Sequence, residues 1–371
     1  MHINIDIIIP SFRLEDRYIL PILNLPKPDN ASFTYYLVVD NPNITPSRSL
    51  ASHIANRDDI VLHINEDNKG AAKTRNIGIE LGNSEWLLFL DDDIQIAPSL
   101  LFEYVNAIKG YPHEIGFIGL VKLPEPINAF TQAILVNGSM SVFSIAEKED
   151  YFAWGATANI LIRRKSIGNI RFSNEYPKFG GGEDVDFFLK VRDNNNYKNY
   201  KTLKKAVVYH PWWHSGKVDL QRPFRYGVGN SYLGQHNSRY IYYDFPNSVE
   251  TLCLLAVMAL ITVFFNSKFA LLLFSLIPIM LLIDVLALAI QLTKRKEKVD
   301  LQVLTYIIVL RLAYQMGLLM GNLSRYRLKG IGERFDYFGK PGRNAFFKFN
   351  TYKITKWILY FLLAASILMI V

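Results

Sequence analysis

The chain has 371 residues, half of them hydrophobic, with a mean hydropathy of +0.11 and only 20% charged residues. That balance excludes intrinsic disorder, which needs low hydrophobicity and high charge, and the single cysteine, Cys253, excludes a disulfide framework or a thiolate metal site. The formal charge of +8 is unevenly placed: residues 1–248 carry 26 Lys+Arg against 27 Asp+Glu, and residues 249–371 carry 15 against 6. The basic excess coincides with long apolar runs, which points to a membrane surface as its partner and not to nucleic acid. No basic and aromatic pattern of a nucleic-acid module occurs in the first part.

The opening MHINIDIIIP lacks a basic leader, contains Asp6 and reaches a proline early. It is expected to be a buried strand over 3–9 stopped by Pro10, not a secretory signal, which leaves the first part in the cytosol. Further apolar runs predict strands at 33–39, 60–64, 86–90 and 115–121, with helices over 47–56, 71–81 and 99–109. Such alternation predicts βαβ units and a mainly parallel sheet. Ligands of these sheets bind beyond the carboxyl ends of the strands. Ser11, Asp40, residues 65–68 and residues 91–93 each directly follow an apolar strand, so they are expected to share one site.

Residues 124–245 are less regular. Residues 152–163 read as one strand through the core. A glycine run at 180–182 opens an acidic helix start at Glu183 and Asp184, and a strand over 207–209 ends at His210. From 249 the character changes. Residues 249–265 and 269–292 are each apolar enough to cross a hydrocarbon core of about 30 Å, and Asn266, Ser267 and Lys268 join them as a tight hairpin. The basic TKRKEK that follows belongs on the cytosolic side by the positive-inside rule. Residues 301–323 carry Arg311, Gln315 and Asn322 on roughly one face, and residues 324–356 hold nine Lys+Arg. A span there would put that basic stretch outside, so 301–323 is expected to be re-entrant or interfacial, with a span as the alternative. Residues 357–371 are short but apolar and are expected to enter the membrane.

Four segments carry chemistry. Asp91-Asp92-Asp93 places three carboxylates side by side, which repel unless a cation or hydrogen bonds offset them. Hard divalent ions take such oxygen ligands and bridge phosphates; charge alone leaves a solvated turn equally open. Residues 68–78, NKGAAKTRNIG, put small residues and Arg75 at a helix start, which suits a phosphate but also an ordinary cap. Glu183 and Asp184 after the glycines suit a substrate-facing helix start or simple dipole capping. His210-Pro211-Trp212-Trp213-His214 offers a metal ligand or a structural histidine. Its tryptophans suit stacking on sugar rings or packing at a membrane interface.

In this order, IIIPSF, VVDNPN, NKGAAKTRNIG, FLDDDI, GGGEDVDFF and VYH resemble family 2 glycosyltransferases of the GT-A fold, over about residues 3–240. The GGED segment also resembles the acceptor segment of galactosyltransferases sharing this fold. The resemblance implies an α/β fold class: a GT-A (Rossmann-like nucleotide-diphospho-sugar transferase) catalytic domain at 1–245, followed by a membrane-associated helical region at 246–371. It implies that Pro10 and Ser11 border the nucleotide pocket and that Asp40 and Arg75 contact the base. Asp91 would sit near the ribose and Asp93 on the metal, with Asp92 as a substitute in that register. Asp184 matches the general base and Glu183 its acceptor-binding neighbour, with Gly182 leaving room for the acceptor and Trp154 stacking on it. His210 looks like a further metal ligand, with His214 as the fallback.

The implied reaction is a metal-assisted (Mn²⁺ or Mg²⁺) inverting displacement from a nucleotide sugar, a UDP sugar first, to a hydroxyl of a glycan or polyprenyl-linked acceptor. The implied setting is cell-envelope polysaccharide synthesis at the inner (cytoplasmic) membrane, with the lipid bilayer as partner. A processive polysaccharide synthase would carry QxxRW, but Gln221–Tyr226 here is one residue too long and has Tyr for Trp. A non-catalytic scaffold of the same fold would lose its charged site residues, yet Asp40, Asp93, Asp184 and His210 are intact. A dinucleotide oxidoreductase would need GxGxxG after the first strand, where PSFRLED stands.

Overall fold

The computed structural model describes residues 2–179, 181–341 and 348–370. Gly180, first of the glycine run, lies outside the described residues, as do residues 342–347 of the basic stretch and Val371. The chain begins with β1 (Ile3–Ser11), α1 (Asp16–Leu23), β2 (Ala31–Val39), α2 (Arg48–Ala55) and β3 (Ile60–Ile64). It continues through α3 (Ala71–Leu81), β4 (Trp86–Leu90), β5 (Gln95–Ile96), α4 (Leu100–Gly110) and β6 (Gly116–Lys122). There follow α5 (Ala129–Asn137), α6 (Ile145–Lys148), β7 (Tyr151–Phe152), β8 (Asn159–Arg163), α7 (Arg164–Ile167), α8 (Glu183–Asn194) and β9 (Tyr200–Tyr209). The remainder is α9 (Gln221–His236), β10 (Ile241–Tyr243), α10 (Ser248–Thr262), α11 (Ser267–Lys294), α12 (Leu301–Leu323), β11 (Glu333–Phe335) and α13 (Thr351–Ile370).

These elements form two compact units, residues 1–125 with 139–217 and residues 126–138 with 218–371. Helix α9 thus falls in the second compact unit. The reason is the packing of α9 on α12 within the second unit. A Cβ on Gly227 would stand 2.0 Å from the Tyr314 carbonyl oxygen, and one on Gly317 would stand 1.9 Å from that of Phe224. Only glycines allow two backbones that close. Helix α5 belongs to the same unit, with Phe130 and Ala133 in a core formed by Leu288, Leu292, Val303, Ile307 and Leu310.

The first unit is built on one sheet in the order β3-β2-β1-β4-β8-β6-β9-β5, with β7 also on β9. From β3 to β4 it is parallel, β8 is antiparallel to both neighbours, and β9 returns parallel to β6. The sheet is therefore mixed α/β. Its central strands read as unbroken apolar runs because both faces are covered: Ile5, Ile7, Ile8 and Ile9 are all fully buried. Two expectations change. β1 does not stop at Pro10 but runs to Ser11, because β4 pairs it only at Ile5–Ile8 and the proline lies where β2 is the single neighbour. Residues 152–163 are not one strand: β7 pairs with β9, and the chain leaves the sheet before β8. Gly155 lies in that interval, where a Cβ would come within 2.9 Å of Ile160 and 3.0 Å of Ile118.

In the second unit, α11 (28 residues) and α12 (23 residues) are long and apolar enough to cross a membrane. Helix α10 has only 15 residues, or about 22 Å at 1.5 Å per residue, short of the span expected over 249–265. Asp284 in α11 is buried and accepts hydrogen bonds from Ser248 (2.8 Å), Lys356 (2.9 Å) and Tyr352. Gln315 in α12 accepts a hydrogen bond from the Val249 amide at the start of α10.

Candidate active site

The carboxylate triplet follows β4 directly, at the carboxyl end of a fully buried strand. The two residues of β5 then pair antiparallel with the end of β9, Gln95 opposite Tyr209 and Ile96 opposite Val208. Continued by one step, that pairing puts Ile94 opposite His210, with Asp93 its neighbour in the chain. Asp91, Asp93 and His210 consequently offer ligand atoms that all lie within 4.8 Å of one another. The register of β9 is itself adjusted by a bulge, where Gly119 and Leu120 of β6 oppose Leu203 and Val207. Buried Asn159 closes that gap by donating to the carbonyls of Leu120 (3.1 Å) and Ala206 (2.9 Å), while Tyr104 donates to its Oδ1 at 2.7 Å.

The donor set fits a hard divalent cation. His210 Nδ1 lies 2.7 Å from the Pro211 carbonyl, which can only accept, so Nδ1 carries the proton. Nε2 faces Asp93 Oδ1 at 3.5 Å, and in the neutral ring it would present a lone pair to a cation between them. Rings of Phe143 and Trp213 stand 5.6 and 4.7 Å from the imidazole and hold it in place. His214 lies outside this group, in a left-handed backbone conformation at φ 49°.

Burial pushes the Asp92 carboxyl up, against the Ser11 hydroxyl that donates to Oδ2 at 2.6 Å. Burial also pushes Asp91 up, against the pull of Arg75 and with added repulsion from Asp93. Arg13 lies 2.9 Å from Asp93 and 3.4 Å from Asp92. Its role was not legible beforehand: it stands in an exposed turn two residues past Ser11. The only signal was the need of adjacent carboxylates for a cation.

The cluster at the strand ends is one assembly. Asp40 is buried, and its oxygens accept from Asn65 Nδ2 (2.8 Å) and the amides of Lys69 (2.7 Å) and Gly70 (2.8 Å). It thereby fixes the turn into α3, where Gly70 has φ 83°. Ser11 joins this turn to the triplet, since its carbonyl accepts from the Asp40 amide at 2.7 Å. Pro10 precedes it in β1. Arg75, buried on α3, reaches Asp91 at 3.3 Å and Glu183 at 3.4 Å. Glu183 and Asp184 open α8 after Gly181 and Gly182, whose φ values of 123° and 97° suit glycine. Glu183 also accepts from the Gly181 amide at 2.7 Å. Burial first, and the Glu183 charge second, push the Asp184 carboxyl up to about 7. Trp154 is buried, 6.4 Å from the ring of Phe152.

Residues 7–167, from β1 to α7, match the family described as Glycosyl transferase family 2. Similar proteins include an "Uncharacterized glycosyltransferase" of Haemophilus influenzae, 27% identical over 39% of this chain. The matched part spans about half (48%) of that protein's length. A "Glucosyl-dolichyl phosphate glucuronosyltransferase" of Haloferax volcanii is 25% identical over 56% of this chain and 74% of its own length. Among solved structures, S. aureus TarS 1-349 in complex with UDP-GlcNAc gives a TM-score of 0.42 at 15% identity, covering 63% of this chain and 66% of that one.

Proposed function

We propose that the protein is a membrane-anchored inverting glycosyltransferase of GT-A type. It moves a sugar from a nucleotide sugar, a UDP sugar being the first candidate, to a hydroxyl of a glycan or lipid-linked acceptor. The observation that carries this is the bridge made by Arg75. One guanidinium holds Asp91, beside the Asp93 and His210 ligand group, and also Glu183, the neighbour of Asp184. A site for a metal-bound diphosphate and a site for a proton acceptor are thus parts of one constellation.

Asp184 takes the proton of the acceptor hydroxyl as its oxygen bonds to the anomeric carbon. The bond from that carbon to the nucleoside diphosphate breaks on the opposite face, which inverts the configuration. A carboxyl held near 7 retains enough basicity to take that proton at neutral pH. Glu183 orients the acceptor, with Gly182 leaving it space and Trp154 bordering it. Pro10, Ser11 and Asp92 line the nucleotide side, while Asp40 and Arg75 bound it by holding the 65–70 turn and Asp91. Asp93 and His210, with Asp91, would hold Mn²⁺ or Mg²⁺, which when bound neutralises charge developing on the departing diphosphate.

The lengths of α11 and α12 support membrane anchoring, and the named acceptor of the Haloferax relative favours a lipid-linked acceptor. The basic excess after residue 248 favours the cytosolic face of the cytoplasmic membrane, with the catalytic unit in the cytosol. Packing of α12 against polar α9 through glycines favours the interfacial or re-entrant reading of 301–323.

The test is a thermal-shift screen of the detergent-purified protein against nucleoside diphosphates and nucleotide sugars, with and without Mn²⁺. Metal-dependent stabilisation by one nucleoside diphosphate is expected. A folded sample that responds to none would remove the reading.

A further inference from the structure

Between the end of α9, β10 and the segment after α12, the second unit holds an open basin of about 770 Å³. Its walls include Arg239, Arg325, Arg327 and Lys329, with Glu333 as the carboxylate among the lining residues. Cations therefore outnumber carboxylates there by three, and Glu333 is already paired with Arg327. Part of this charge serves the fold. Arg327 donates to the Ser231 and Gly234 carbonyls at 3.3 and 3.2 Å, which offsets the C-terminal end of α9. Arg325 lies over the Tyr232 ring, 3.6 Å from its centroid, and donates to Ser231 Oγ at 2.7 Å. Both guanidiniums are thus held in place as fixed walls. Arg239 and Lys329 stand exposed at the rim.

The exposed guanidinium of Arg239 and ammonium of Lys329, above walls already positive, match the oxygens of a phosphate better than any neutral ligand. The basin is larger than a bare phosphate needs, since it has the volume of a small-molecule pocket. The segment also alternates its cations with exposed apolar groups: Tyr326 is 94% and Leu328 67% exposed. It begins at once after the apolar helix α12, whose last residue is Leu323. Cations interleaved with an aromatic and an aliphatic side chain at the end of such a helix are the pattern of a headgroup-level segment.

The geometry points to a phosphate-binding basin in the second unit, whose ligand is the phosphate or diphosphate head of a membrane lipid. The choice of a lipid rests on the proposed reading of α12 as a helix at the membrane, interfacial or re-entrant; the phosphate site rests on the basin alone and is independent of the transfer chemistry.

The test uses the full-length protein in a neutral detergent, with EDTA present so that no metal-bound diphosphate forms in the first unit. Calorimetric titration compares inorganic pyrophosphate, micellar dioctanoyl phosphatidic acid and dioctanoyl phosphatidylcholine. The variants are Arg239→Ala with Lys329→Ala, and a control of equal charge loss, Lys109→Ala with Lys205→Ala. Phosphatidic acid is expected to bind the native protein and the control alike, and the rim variant about tenfold more weakly. Phosphatidylcholine is expected not to bind. Rim-dependent binding of phosphatidic acid but not pyrophosphate establishes the lipid source. Rim-dependent binding of both establishes the phosphate site and overturns the restriction to lipid. Absence of binding, or equal weakening in rim variant and control, overturns the proposal. Because the readout needs neither donor sugar nor metal, its failure is distinct from failure of the glycosyltransferase reading.

Discussion

Asp184 stands beside Glu183 at the start of α8, and burial together with that neighbour pushes its carboxyl up to about 7. Its folded value lies above the unfolded one, so the folded state holds the extra proton. The stability this gives is present at low pH and is lost as pH rises from about 4 through about 7. Asp184→Asn removes the buried charge. It is expected to raise the stability of the metal-free protein by about 1–3 kcal/mol at pH 8, with the gain shrinking below pH 7 and vanishing near pH 4, as thermal melts across that range will show. The same variant should lose transfer while retaining nucleotide binding, and native activity should rise with pH through about 7 before levelling. Strong residual transfer by Asp184→Asn would exclude it as the base. Arg13, half-exposed, offsets the repulsion of Asp92 and Asp93. Arg13→Ala should therefore lower the melting temperature slightly without metal, by less than about 1 kcal/mol given its solvent screening. Mn²⁺ should then raise it more than in the native protein; an equal rise in both would place Arg13 outside the cation's field.

At the scale of elements, the site depends on a pairing only two residues long. β5 against β9 brings Asp93 to His210, and Asn159 repairs the bulge that sets the β9 register. Asn159→Ala leaves two buried carbonyls and the Tyr104 hydroxyl without this partner. The expected cost is about 2–4 kcal/mol, read as a lower denaturation midpoint. Because the bulge lies upstream of His210, Mn²⁺ affinity should fall as well. A variant that is destabilised but binds Mn²⁺ unchanged would show that β5 alone holds the ligand geometry. Replacement by a larger side chain gives no cleaner test, since Gly119 already lies where a Cβ would meet Asn159 at 2.2 Å.

For the whole molecule, charge and apolar length act together. The nearly neutral part before residue 249 and the basic, apolar remainder follow different physical rules. Helix α11, 28 residues long and apolar, is expected to keep the protein in the membrane pellet after alkaline carbonate washing and to release it only with detergent. Release by carbonate or salt alone would reduce the association to a peripheral one. In this unit buried Asp284 is offset by Lys356, Tyr352 and Ser248, as an ionisable group among apolar helices requires.

What the sequence determined by itself was local: apolar strands at fixed spacing, the polar residues that end them, and the carboxylate triplet whose repulsion called for a cation. Those properties depend on neighbours a few residues apart, so β2, β3, β4 and α3 stand close to where their patterns placed them. The order of motifs supplied the constellation, including His210 and Asp184, but not its geometry. Only the tertiary structure decided that Pro10 lies inside β1, that residues 152–163 break into two strands, and that α9 and α5 belong with the second unit. It alone placed Arg13 on the triplet and Arg75 between Asp91 and Glu183. Each of these depends on which strand or helix lies alongside, a choice set by packing between residues as far as 166 positions apart, which no local pattern encodes.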